Sequence, residues 1–71
     1  MCTSQKLEAA RVAAYMSIAD LAREAGVAES NIRRWEKTKK VNGRLVSMYS
    51  PRVNDLKRIA DALGVDINTL L

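Results

Sequence analysis

The strongest constraint on this chain lies between Ser17 and Trp35, in SIADLAREAGVAESNIRRW. Apolar residues recur there at helical spacing on both sides of one glycine. Ile18, Leu21, Ala22 and Ala25 fall at i, i+3, i+4 and i+7. Ser17-Ile-Ala-Asp20 has the form of a capping box opening that helix, with Asp20 where Glu is more usual. Gly26 follows, free to take the positive φ that ends a helix, and Val27 supplies the apolar contact that accompanies such an ending. A second helix then turns Ala28, Ile32 and Trp35 inward and Glu29, Ser30, Arg33, Arg34 and Lys37 outward. Two helices crossing at about 90–120° need a small residue at closest approach and a positive φ in the turn between them. Ala22 and Gly26 meet both needs, and the outer face left over is narrow, polar and basic enough to enter a major groove.

The flanking sequence reads as further helices. Thr3 or Ser4 can cap a first one, with Leu7, Ala10, Arg11 and Ala14 on one face. Ser50-Pro51 predicts the start of another, with Ser as cap and Pro at the first position. Its stripe is Val53, Leu56, Ile59, Ala60 and Leu63, and Gly64-Val65 ends it as Gly26-Val27 ended the earlier one. Asp66 can cap a last turn, INTLL. Between these helices KKVNGRLVSMY (Lys39 to Tyr49) is rich in β-formers around Asn42-Gly43, a strong hairpin signal. In that register Val41 pairs with Arg44 and Lys39 with Val46; a flexible basic loop is the alternative. A hairpin of this length needs to dock on the helices or on a ligand to stay ordered. The expectation is one all-α domain over 1–71, a compact bundle of about five helices with a small β-hairpin at about 39–49. Aromatic residues are limited to Tyr15, Trp35 and Tyr49, so Ala, Leu, Ile and Val must build the core.

Charge separates this chain from an ordinary small bundle. Between Glu29 and Arg52 lie seven basic residues against two acidic ones, a local excess of +5 in a chain whose net charge is +4. That concentration is the footprint expected of a polyanion binder. Nothing points to catalysis: the chain has no His, no Gly-rich phosphate loop and no metal-ligand cluster, so neither a cofactor nor a metal is expected. The lone Cys2 has no partner for an internal disulfide and reads as incidental. No apolar run approaches about 20 residues, and MCTSQKLEAA lacks the apolar region of a secretion signal. A cytoplasmic protein is the expectation.

SIADLAREAGVAESNIRRWE resembles the helix-turn-helix of the phage-repressor and Cro-like (XRE-type) family of DNA-binding regulators. PRVNDLKRIADALGVDINTLL resembles that family's last two helices, and KLEAARVAAYM its first, giving a lambda-repressor-like bundle. The resemblance implies that Glu29, Ser30, Arg33 and Arg34 sit where the family reads base edges, and that Lys37 and Lys40 reach the DNA backbone. It also implies an ion pair between Arg11 and Glu36 that is structural. Two departures stand out. Ile18 occupies a position where the family often has a DNA-contacting glutamine, although N–H groups at the helix start near Ser17 could hold a phosphate. The link between third and fourth helices is longer by roughly a hairpin, which resembles the wing of MerR and excisionase-like proteins.

Weighed residue by residue, Arg33 and Arg34 can read guanine through bidentate bonds, while Arg33 can also pair with Glu29 at i, i+4. Glu29 suits a cytosine amine or the helix N-terminus equally. Ser30 and Asn31 are small polar donors for base edges. Trp35 and Ile32 fit the core better than a stacking role. Lys37, Lys39, Lys40 and Arg44 suit phosphate contacts, which set affinity and register; Arg44 could instead enter a minor groove. The expected partner is double-stranded DNA, bound by a symmetric dimer for which Leu70, Leu71, Val46 and Met48 are candidate interface residues. A protein-interaction module of antitoxin type and a sequence-independent architectural DNA binder remain open as alternatives.

Overall fold

The computed structural model describes residues 1–71. The helical periodicities become four α-helices: α1 (Thr3–Ala13), α2 (Ile18–Ala25), α3 (Glu29–Trp35) and α4 (Val53–Leu63). Two strands, β1 (Thr38–Val41) and β2 (Arg44–Ser47), lie between α3 and α4, and a 3₁₀ turn covers Ile67–Thr69. The bundle thus has four helices where about five were expected. After Gly64 the chain forms a 3₁₀ turn and not a fifth α-helix. Its bonds run from Thr69 N–H to Asp66 C=O and from Leu70 N–H to Ile67 C=O, both 2.9 Å, which is 3₁₀ spacing. Asp66 caps this turn as expected, its Oδ1 accepting from Asn68 N–H at 2.8 Å.

The starts of three helices divide into a marked one and two displaced ones. Ser17 caps α2 reciprocally: its Oγ accepts from Asp20 N–H at 3.0 Å, and Asp20 Oδ2 accepts from Ser17 N–H at 3.2 Å. Those bonds from Ser17 hold the Asp20 carboxyl below its ordinary range, with Arg23 as a lesser cause. For α1, Thr3 and Ser4 are not the cap. Cys2 occupies that place, its N–H donating to Gln5 Oε1 at 3.2 Å. Ser4 lies inside the helix, where its N–H donates to Ser47 Oγ at 3.0 Å. For α4, Ser50-Pro51 is not the cap pair. Arg52 is still extended (φ −69°, ψ 159°), so the helix begins at Val53 and Pro51 is buried outside it. Val53 consequently leaves the stripe and is 70% exposed.

Three helices end by one device. A backbone N–H reaches back five residues, from Met16 to Arg11 (3.2 Å), Val27 to Ala22 (3.0 Å) and Val65 to Ala60 (3.0 Å). The intervening residue is left-handed each time: Tyr15 (φ 57°), Gly26 and Gly64 (both φ 71°). Met16, Val27 and Val65 then pack against the core, the apolar contact this ending favours. Glycine takes this conformation freely, but an L-residue loses roughly 1–2 kcal/mol there. Tyr15 is 96% exposed and gains no burial in exchange. Tyr15→Gly is therefore expected to raise unfolding free energy by roughly 0.5–1 kcal/mol, after subtracting the extra freedom glycine gives the unfolded chain. Urea titration of the two proteins checks the sign.

The core is one cluster of ten side chains: Leu7 from α1, Leu21, Ala22 and Ala25 from α2, Ile32 and Trp35 from α3, Leu56, Ile59 and Ala60 from α4, and Leu70. Ala28 is the N-cap of α3, where an alanine start lacking a side-chain oxygen is expected, but it is exposed and not turned inside. Leu70, expected at a subunit interface, is fully buried within its own chain. Its position after the 3₁₀ turn folds it back on the helices, where burial is worth about 1.5–3 kcal/mol. The hairpin has the register that Asn42-Gly43 predicts, with Val41 opposite Arg44 and Lys39 opposite Val46. Both turn residues have positive φ (50° and 77°). It docks on α1 through the Ser4–Ser47 bond, and Met48 N–H, donating to Lys37 C=O at 3.0 Å, continues the strand pairing by one pair toward the end of α3.

Candidate nucleic-acid interface

With about 100° between successive residues, the seven residues of α3 divide cleanly. Ile32 and Trp35 are buried, while Glu29, Ser30, Arg33 and Arg34 are exposed, as is Lys37 just beyond. Asn31 differs from its neighbours: it lies on the flank of the helix and is half-buried. Arg33 Nη2 rests 3.3 Å from Glu29 Oε1, with the arginine side chain 59% exposed. A contact so open contributes little and parts easily when a stronger acceptor arrives. The N–H fork of Arg33 is thus held near the helix surface and remains available.

The far end of α3 is anchored from α1. Arg11 Nε and Nη2 donate to Glu36 Oε2 and Oε1 at 2.7 and 3.0 Å, and Arg11 Nη1 donates to Met16 C=O at 2.9 Å. Both side chains are largely buried. Hydrogen bonding to Glu36 raises the arginine above its already high ordinary pKa, so its charge is complete over the whole physiological range. Glu36 is the C-terminal cap of α3, where the helix dipole disfavours a carboxylate. The Arg11 guanidinium compensates it and ties the exit of α3 to α1.

The hairpin distributes its cations by register. Lys39 and Arg44 share one face with Val41 and Val46, and Lys40 falls on the opposite face with Leu45. All three are exposed, Lys39 and Arg44 on one face and Lys40 on the other. A contact that composition and spacing did not suggest comes from the exit of β2. Tyr49 lies under Arg34, whose Cζ is 5.7 Å from the ring centroid, within cation–π range. The signal was present in the register: Thr38 pairs with Ser47, so continuing outward brings residues 48 and 49 back to the end of α3.

The Ser17 hydroxyl oxygen accepts from Asp20 N–H in capping α2. The two surface depressions lie on the outer side of α1, around Ala9 and Val12, and between Cys2 and β2; no α3 residue lines either. No helix is long and apolar enough to cross a membrane. A family model described as a helix-turn-helix domain matches residues 4–70, spanning every element from α1 to the 3₁₀ turn. No curated protein matches the chain.

Proposed function

The chain belongs to the helix-turn-helix domain family, and we propose that it is a sequence-specific binder of double-stranded DNA that regulates transcription as a repressor of the phage-repressor and Cro-like type. The observation that carries this reading is the outer face of α3, where Ser30, Arg33, Arg34 and Lys37 are exposed together while Ile32 and Trp35 lock the opposite side into the core. α3 enters the major groove. Arg33 and Arg34 read guanine, Glu29 filters for cytosine, and Ser30 and Asn31 serve as further donors. Ser17, Lys37, Lys39, Lys40 and Arg44 hold phosphates and set the register.

One such face spans few base pairs, so the chain works as a symmetric dimer on half-sites about 34 Å apart. Leu71, Val46 and Met48 remain available for that contact. Selection of preferred duplexes from a random library tests the reading. A two-fold-symmetric consensus, bound at least about 10³-fold more tightly than random sequence, is the expected result; recovery of no enriched sequence sinks it. The docked hairpin favours one second reading, an architectural wing, which predicts equal affinity for all duplexes. Under either reading Lys39→Ala and Arg44→Ala should weaken preferred and random duplexes alike. Each should lower the slope of log affinity against log salt by about 0.9, as fluorescence anisotropy at several salt concentrations would reveal.

A further inference from the structure

We infer that Tyr49 is a specificity-positioning residue: it holds the Arg34 guanidinium in the orientation from which it reads a base. This rests on the reading of α3 as the DNA-reading helix. Arginine has several rotatable bonds, and a free guanidinium loses that freedom when it forms two directed bonds to one base. Tyr49 removes part of that freedom in advance. The aromatic ring attracts the cation through its π face, whereas bidentate bonding uses the N–H groups at the guanidinium edge. The two contacts engage different sides of the same group, so the ring can stay in place while the base is bound.

The placement is built in by the hairpin. Asn42-Gly43 fixes a two-residue turn, the strands return in register, and the Met48–Lys37 backbone bond seats residue 49 beside α3. The insertion between the third and fourth helices thereby acts on recognition through a side chain, independently of any contact its lysines make. Tyr49 is half-exposed and has no evident core role.

The effect is confined to the preferred duplex. On random sequence Arg34 acts as a point charge for which orientation matters little. Tyr49→Leu keeps an apolar side chain and removes the π face; Tyr49→Phe keeps the ring. Affinity for the selected duplex and for a random duplex is measured for both, alone and combined with Arg34→Ala, on protein shown to be folded by thermal melting. The expected result is a loss of about 2- to 5-fold for Tyr49→Leu on the selected duplex only, the change that corresponds to an exposed cation–π contact. Tyr49→Phe should restore it, and the loss should vanish in the Arg34→Ala background. Unchanged affinity for Tyr49→Leu overturns the inference, as does a loss that persists without Arg34. Absence of any preferred duplex for the unaltered protein removes the reading of α3 itself, and this inference with it.

Discussion

Glu36→Ala should lower the stability of the folded domain by about 2–4 kcal/mol. Removing one member of a buried ion pair leaves the other charged and poorly solvated, which typically costs about 3–5 kcal/mol. Here the range is reduced because Arg11 retains its bond to Met16 C=O and some access to water. A chain of this size has roughly 4–11 kcal/mol of stability in total, so the loss is a large fraction. It corresponds to a fall in Tm of roughly 10–25 °C, measurable by circular dichroism. Glu36→Gln keeps one acceptor and should cost less. Replacing both residues by apolar ones, Arg11→Met with Glu36→Leu, should recover most of the loss, since it removes both buried charges together. If Glu36→Ala melts within a degree or two of the unaltered protein, the pair is not what anchors α3. Binding assays on such variants need temperatures at which the fold survives, because loosening the exit of α3 would displace every side chain on its outer face.

The same pair illustrates what the amino-acid sequence could and could not express. Its members lie 25 positions apart, so no periodicity connects them; only the resemblance to a known family brought them together. Local chemistry was far more legible. Ser17 and Asp20 are three apart, Gly26-Val27 and Gly64-Val65 carry a recognisable helix ending, and Asn42-Gly43 sets the hairpin register residue for residue. Where local signals competed, reading failed. Ser50-Pro51 has the composition of a helix start, yet the chain stays extended through Arg52 and buries the proline ring. Nothing in Ala14-Tyr15-Met16 announces a left-handed tyrosine, because the αL preference belongs to glycine. Leu70 reads as a terminal apolar residue free for a partner, but the 3₁₀ turn folds it inward. Tyr49 was hidden for a different reason. Its neighbour Arg34 is reached only by extending the strand pairing beyond its last residues to the point where the chain rejoins α3.

Reversing both arginines, Arg33→Glu with Arg34→Glu, should abolish preferential binding while leaving the fold intact. Two bidentate contacts to bases are each worth about 1–3 kcal/mol of discrimination, and the loss of both removes a factor of roughly 30 to 10⁴. Reversal goes further than removal. Four units of charge leave the surface, taking the net value from +4 to 0, and the central stretch from Glu29 to Arg52 falls from +5 to +1. Two new carboxylates would face phosphates and, on the Arg33 side, Glu29 as well. Both positions are exposed, so stability should change by little more than the lost Glu29 pair, about 0.5 kcal/mol or less. The conservative pair Arg33→Lys with Arg34→Lys separates the two contributions: charge is retained and the planar fork is lost. Those lysine variants should keep the salt dependence of the unaltered protein and its affinity for random duplexes, yet lose discrimination by about 1–3 kcal/mol per site in a competition assay. A reversed protein that still selected the same duplex would move recognition off α3 altogether. Retained binding to a protein ligand alongside lost DNA binding would instead locate that ligand on another face, with the outer side of α4 the first to examine.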